Sequence, residues 1–271
     1  MNIKTFFNRL FNRIRINGHT LYYPKDMAWC FIDGDYYEKK LTEILEFAIK
    51  NIKSPVFYDI GANIGYYSIR FAKISQEIHS FEPVKKTFEI LTKNKSVNNI
   101  ENLYLHKYGV SNQNKSLNIN LYSSSGNNSI IKRNIPENHP CKFIGVEEIT
   151  TVTLDSYIKD NRIPLPDLIK IDVEGAELYV LEGAKDVISS KKPIIIFEYS
   201  ETTFNDANYK FENIIQYFNG MDYLFFGISN EGGTNELLVL STDNLTLISN
   251  IIAIPKDHSL IHILKQAKYL S

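Results

Sequence analysis

Five residues of this chain combine a reactive type with a telling position: Asp59, Glu82, Lys170, Asp172 and Glu198 each stand at or near the end of a short apolar, β-prone run. Asp59 leads into Gly61-Ala62-Asn63-Ile64-Gly65-Tyr66, where two glycines bracket an asparagine before a helical pattern resumes at Tyr67, Ile69, Phe71 and Ala72. Glycine lacks the Cβ that would hold a ligand off and tolerates the positive φ of a sharp turn, so a strand–glycine loop–helix junction marks a place where something comes close to the backbone. The start of the helix would add free N–H groups. The G-x-G-x-x-G spacing of a dinucleotide site is missing, which disfavours a pyrophosphate and a nicotinamide-dependent oxidoreductase.

A nucleoside without phosphates is the alternative, with Asp59 and the loop meeting an amino-acid head group that carries an ammonium and a carboxylate. S-adenosylmethionine is such a ligand. Glu82 closes the run Glu77–Phe81, where a nucleoside site in a doubly wound sheet places an acid against the ribose hydroxyls, and Pro83 beside it could wall the adenine. Methyl transfer from a sulfonium is an in-line displacement; a hydroxyl acceptor needs a base or a cation beside it, whereas an unprotonated amine needs neither. Asp172 is the expected base, with Lys170 on the same face of its strand tuning its charge, and Glu198 adds a carboxylate to that rim. Asp172 and Glu198 could together hold Mg²⁺, but the sequence shows no third oxygen ligand and no metal is expected. Glu174 and Glu177 read as acids at the start of the next helix.

The elements that position these residues alternate. Apolar runs at 56–58, 77–81, 103–106, 167–171 and 193–197 read as strands with helices between them, including one through Phe88, Leu91 and Val97 and one from Glu174 to Ile188. The pattern predicts a doubly wound, mostly parallel sheet, with two further strands near 223–226 and 250–254. Residues 1–50 form a cap, made of an amphipathic helix (Phe7, Leu10, Phe11 and Ile14 beside Lys4, Arg9, Arg13 and Arg15), a strand at Thr20–Tyr23 and a helix from Tyr37 to Lys50. Residues 51–271 form the main domain. Within it, 111–150 is an Asn-, Ser- and Gly-rich insertion suited either to substrate contacts or to a structural hairpin.

Composition narrows the class. The net charge of −1, with lysines scattered rather than striped among aromatics, argues against nucleic acid as a partner. Two distant cysteines, Cys30 and Cys141, support neither a disulfide framework nor a C-x-x-C metal site. No run reaches bilayer-spanning length and no signal peptide is evident, so a cytoplasmic protein is expected, with peripheral membrane contact through the N-terminal segment as its one lipid-facing option.

Four motifs in order, Asp59 to Tyr67, Phe81-Glu82-Pro83, Thr153-Leu154-Asp155-Ser156 and Ile169 to Glu177, resemble the FkbM family of S-adenosylmethionine-dependent methyltransferases from about Tyr36 to Tyr199. The resemblance implies a class I methyltransferase (Rossmann-like) fold, donor binding through the first two motifs and O-methylation of a sugar or another secondary metabolite. It places Asp59, Gly61, Ala62, Asn63, Gly65, Tyr66, Glu82 and Pro83 at the donor and a motif at Asp172, while strand-end position sets Lys170 and Glu198 beside Asp172 at the reacting end. A carbohydrate such as a sugar, a sugar nucleotide or a surface polysaccharide is the leading acceptor. N-methylation of an amine, or a non-catalytic donor-binding protein of the same fold, are the rivals.

Overall fold

The computed structural model describes residues 11–31, 37–229, 237–240, 245–267 and 269. The chain opens with an antiparallel hairpin, β1 (Phe11–Ile16) and β2 (His19–Pro24). Its turn is Asn17-Gly18, both at positive φ (47° and 84°), the chemistry of a two-residue hairpin turn. This overturns the expected helix through Phe11 and Ile14. Ile14 and Ile16 point inward while Arg13 and Arg15 point outward, which is the alternation of a strand. The Lys4, Phe7, Arg9 and Leu10 part of that expectation lies outside the described residues. The hairpin is stitched to the next layer by side-chain amides: Asn94 and Asn98 each exchange two hydrogen bonds with the backbone of Tyr22 and Thr20. The helix α1 (Lys39–Lys50) completes this region and buries Leu41, Ile44, Leu45, Ala48 and Ile49.

Six strands in sequence then build the main sheet: β3 (Val56–Ile60), β4 (Glu77–Phe81), β5 (Leu103–His106), β9 (Leu168–Ile171), β10 (Ile194–Glu198) and β11 (Tyr223–Ser229). The strands β12 (Leu238–Val239) and β13 (Ile248–Pro255) complete it, in the order β12-β11-β13-β10-β9-β3-β4-β5, with β13 antiparallel to both its neighbours. The chain runs outward from β3 to β5 and, after β9, outward in the other direction, so the strand order reverses between β3 and β9. Ligands of open α/β sheets bind at that reversal. Successive β3 residues feed opposite cores: Phe57 packs with α1, α2 (Tyr66–Phe71), α3 (Lys85–Val97) and α9 (Ser259–Gln266), whereas Tyr58 and Ile60 pack with α4 (Leu154–Asn161) through α8 (Phe211–Tyr217). Both faces are covered, as a parallel sheet requires.

Residues 109–152 form a separate sheet of β6 (Gly109–Val110), β8 (Phe143–Val152) and β7 (Lys115–Tyr122), packed on Val84 through Ile119 and Ile149. The single helix expected from Glu174 to Ile188 is instead two, α5 (Glu177–Glu182) and α6 (Lys185–Lys191). Gly183 breaks it where the chain crosses the start of the insertion, since a Cβ there would lie 2.0 Å from the Ser111 carbonyl oxygen. No described helix is long and apolar enough to cross a membrane.

Along β4 and β5 runs a half-buried polar chain from Glu77 through His79 and His106 to the Tyr157 hydroxyl, with contacts of 3.3, 3.0 and 3.0 Å. One direction satisfies all of it: Tyr157 donates to His106, His106 to His79, and His79 to Glu77, with both imidazoles neutral. Burial pushes both imidazoles down to about 4. A histidine depressed in the fold contributes stability that is present above its unfolded value of ~6.5 and is lost as pH falls toward 4. His79→Phe removes that proton uptake and its ring suits a site lined by Tyr58 and Tyr104. Urea unfolding at pH 7, 5.5 and 4.5 should therefore show the stability difference between variant and wild type moving in the variant's favour as pH falls.

Candidate active site

The reversal between β3 and β9 opens into a cleft of about 340 Å³. Its floor is the glycine loop and the ends of β4, β9 and β10. Its roof is the short 3-10 turn Lys25–Phe31 and the insertion loop around Ser124–Ile130, joined where the Ser125 N–H donates to Asp26.

The glycine loop is shaped by its own bonds. Gly61 and Ala62 N–H groups both donate to the Phe81 carbonyl (3.0 Å each), Asn63 N–H to Glu82 Oε2 (2.9 Å) and Gly65 N–H to the Ala62 carbonyl (2.8 Å). Four N–H groups that the sequence suggests for a ligand are thus used to hold the loop. Gly61 sits at φ +78°, and a Cβ on it would fall 1.8 Å from the Asp172 carbonyl oxygen. Its missing side chain admits the neighbouring strand end rather than the ligand. Gly65 faces Leu91, 2.3 Å from where its Cβ would be, and does not line the cleft. Asp59 does not line it either. Its carboxylate lies one layer below, accepting from the Ser68 hydroxyl, which also contacts Ser80 at 2.7 Å. Burial raises Asp59, against the opposing pull of Lys170 and Ser68.

Ala62, Asn63, Tyr66, Glu82 and Pro83 do line the cleft. Glu82 is held rigidly, its two oxygens accepting from the N–H groups of Asn63 and Val84 at 2.9 Å. Each oxygen keeps a lone pair for a further donor. Burial pushes this carboxyl up to about 7 despite those two bonds. Asn63 Oδ1 is buried without a partner among the described residues and is available to a ligand.

At the other end, four carboxylates converge from separate elements. Lys170 Nζ lies 2.8 Å from Asp172 Oδ2 and 4.7 Å from the centre of the Tyr67 ring. Burial alone would lower Lys170, but Asp172, Asp59 and Glu38 together raise it. Glu174, expected at a helix start, instead adopts φ +56° ahead of α5 and pairs with Arg133 of the insertion at 2.9 Å. Its backbone carbonyl also accepts from Ser129, so the insertion is pinned to it twice. Burial and then Asp172 push Glu174 up to about 8, with Arg133 opposing. Glu38, from the start of α1 and also at positive φ (46°), accepts from the Tyr67 hydroxyl at 2.7 Å. Glu198 completes the group, raised well above the usual carboxylate range by burial and then by Glu174 and Asp172. Oxygens of Asp172, Glu174 and Glu198 lie within 4.8 Å of one another, so the third oxygen that the sequence did not show is Glu174. Two of the three already face a protein cation, so Lys170 and Arg133 supply positive charge at this cluster. Cys30 lines the cleft as an inert thiol, pushed up to about 12 by burial and then by Glu38.

Glu38, Arg133 and, read only as a helix-start acid, Glu174 are the site residues that the sequence does not reveal. Glu38 has no motif around it, and Arg133 follows a polar loop whose docking depends on contacts 41 positions away in the chain.

The strand order, with its antiparallel β13 inserted beside β10, and the cleft at its reversal define a class I methyltransferase fold. The Methyltransferase FkbM domain profile matches residues 59–225, and the chain belongs to that family. It is 31% identical over 143 residues to the hexuronic acid methyltransferase AglP of Haloferax volcanii, covering 52% of this chain and 54% of that protein. It is 27% identical over 160 residues to the 2-O-methyltransferase NoeI of Sinorhizobium fredii, covering 54% and 64% respectively. The matches therefore span less than two thirds of these relatives. Among solved structures it resembles an FkbM methyltransferase from Methylobacillus flagellatus, at 17% identity and TM-score 0.47 over 74% of this chain and 43% of that one.

The glycine loop gives a direct test of this packing. Gly61→Ala places a Cβ on backbone that cannot yield, at a φ that alanine resists, and should destabilise the fold by about 3 to 5 kcal/mol or more. Gly220→Ala also substitutes at positive φ but meets nothing within 4 Å, and should cost only about 1 to 2 kcal/mol. Chemical denaturation of the pair reads the difference, and equal losses would remove the Asp172 contact as the cause.

Proposed function

We infer that this protein is an S-adenosylmethionine-dependent methyltransferase acting on a hydroxyl of a carbohydrate. The observation that carries the reading is Glu82, an acid fixed by two backbone N–H groups at the end of β4, facing a cleft whose loop also presents an unpartnered Asn63 oxygen. A rigid carboxylate with spare lone pairs suits a vicinal diol, and Pro83 and Val84 beside it offer an apolar wall for a base. Bound there, S-adenosylmethionine supplies an electrophilic methyl group on a sulfonium. The chain's own groups do the rest. Glu82 and Asn63 hold the nucleoside, the roof excludes water, and the carboxylates at the ends of β9 and β10 handle the acceptor's hydroxyl beside the paired cations Lys170 and Arg133. The acceptor class draws support from two relatives whose names describe a hexuronic acid and a 2-O-methylation. Cys30 and Cys141 are both free thiols, which suits a reducing, cytoplasmic setting.

Calorimetry with S-adenosylmethionine, S-adenosylhomocysteine and NAD is the first test; heat with NAD alone would overturn the reading. Glu82→Gln keeps size but removes the charge that accepts from the diol, and should weaken donor binding by about 1.5 to 3 kcal/mol, roughly 10- to 150-fold. Ribose hydroxyls favour the ionised acid, so wild-type affinity should fall as pH drops below about 7, whereas the glutamine variant should lack that dependence. The insertion is proposed to select the acceptor. Replacing Ser123 to Asn128 with a short glycine–serine turn removes the Asn127 contact to Arg133 and should lower acceptor turnover while leaving donor affinity in place. Unchanged turnover would make this loop purely structural.

A further inference from the structure

The four carboxylates at the reacting end are not equivalent. Asp172 is tied to Lys170, Glu174 to Arg133, and Glu38 to the Tyr67 hydroxyl. Glu198 Oε2 is buried with no hydrogen-bond partner among the described residues, although its side chain lines the cleft. A proton acceptor needs an oxygen that is free to take the proton, and a carboxylate held by a buried ammonium is a weaker base than one that is not. Asp172 and Glu174 each carry an ion pair, whereas Glu198, on the next strand, has neither a cation partner among the described residues nor a hydrogen bond to its Oε2.

Position agrees with this. Neighbouring strands lie roughly 4.8 Å apart, and β9 separates the glycine loop of β3 from β10. With the ribose at Glu82, beyond β3 on the opposite side, the nucleoside spans the reversal and its sulfur comes toward β9. A hydroxyl in line behind the methyl then lies over β9 and β10, within reach of Glu198.

Resting on the functional reading above, we propose that Glu198 is the base that takes the acceptor's proton, and that the donor's sulfonium charge prepares it to do so. The acids whose charge acts on Glu198 are Glu38 from the start of α1, Asp172 and Glu174 from the turn after β9, and Glu177 at the start of α5; Tyr67, Lys170 and Arg133 line the same cleft, and Asn250 of β13 pairs with Glu198 across the strands. Burial and this surplus of negative charge favour the protonated acid before the donor binds, and Glu174, Asp172, Glu177 and Glu38 all push the same way. A sulfonium brings a positive charge into that field, and the Glu198 proton leaves to solvent. Glu198 then accepts the hydroxyl proton while an oxygen lone pair forms the bond to the methyl carbon and the carbon–sulfur pair stays on sulfur as a neutral thioether. The donor must therefore be bound before the acceptor's proton can be taken.

The test needs no acceptor. Titration calorimetry at pH 7 in two buffers of different ionisation enthalpy counts the protons released on binding. Glu82 contributes equally with S-adenosylmethionine and S-adenosylhomocysteine, because both carry the ribose; only the former carries the sulfonium. Wild-type protein should release more protons with S-adenosylmethionine, by up to about one, and in Glu198→Gln, checked for folding by its thermal melt, the excess should vanish. Equal release in the wild type overturns the proposal without any variant, and an excess that survives Glu198→Gln overturns it for this residue. Failure of both nucleosides to bind would defeat the functional reading itself and this proposal with it.

Discussion

The site depends on one close approach, that of the Asp172 carbonyl to the face of Gly61 where any other residue carries a Cβ. The same junction carries the hydrogen bond from the Asp172 N–H to the Ile60 carbonyl at 3.0 Å. These two contacts hold the end of β9 against the end of β3 at the reversal of strand order. On one side Gly61 and Ala62 hang from the Phe81 carbonyl, which sets Glu82 beside the loop. On the other, Asp172 leads into Glu174 and its unusual backbone. The Glu82 end and the Glu174 end of the cleft are thus joined through a single stretch of backbone, in a loop that spends its own N–H groups on itself.

Electrostatically the cleft is a set of acids held at different strengths. Two are neutralised by cations from different layers, Lys170 from within the sheet and Arg133 from the insertion; one is steadied by a tyrosine hydroxyl; one has an oxygen with no partner. Lys170 tolerates burial at 2% exposure because Asp172, Asp59 and Glu38 surround it. The positive φ of Glu38 and of Glu174 is backbone strain of order 1 to 3 kcal/mol each, found where two acids are turned into one cleft. The surrounding bonds from Tyr67, Ser129 and Arg133 hold those conformations in place.

What was legible in the sequence was local. The glycine loop, Glu82 at a strand end, the shared face of Lys170 and Asp172, and the alternation that builds the sheet all follow from residues within one strand–loop–helix unit. The loop's detailed role was not legible, because Gly61 and Gly65 are glycines for the sake of Asp172 and Leu91, neighbours that only the fold supplies. Glu38 and Arg133 were missed for the same reason: each reaches the cleft from an element with no motif of its own. The N-terminal hairpin was a misreading with an available signal. Spacing at Phe7, Leu10, Phe11 and Ile14 suits a helix, but Asn17-Gly18 is hairpin-turn chemistry and outweighs it.

The antiparallel β13 has a consequence for how the molecule comes into being. The glycine-loop half of the cleft is assembled largely from near neighbours in the chain, β3, α2 and β4, and can form early. Glu198 lies on a strand whose outer neighbour arrives some fifty residues later, where Glu198 pairs across to Asn250. Contacts of high sequence separation form slowly. On a ribosome, the glycine-loop side of the cleft would take shape while β13 was still unsynthesised, so the surroundings of Glu198 are completed only after that strand has emerged.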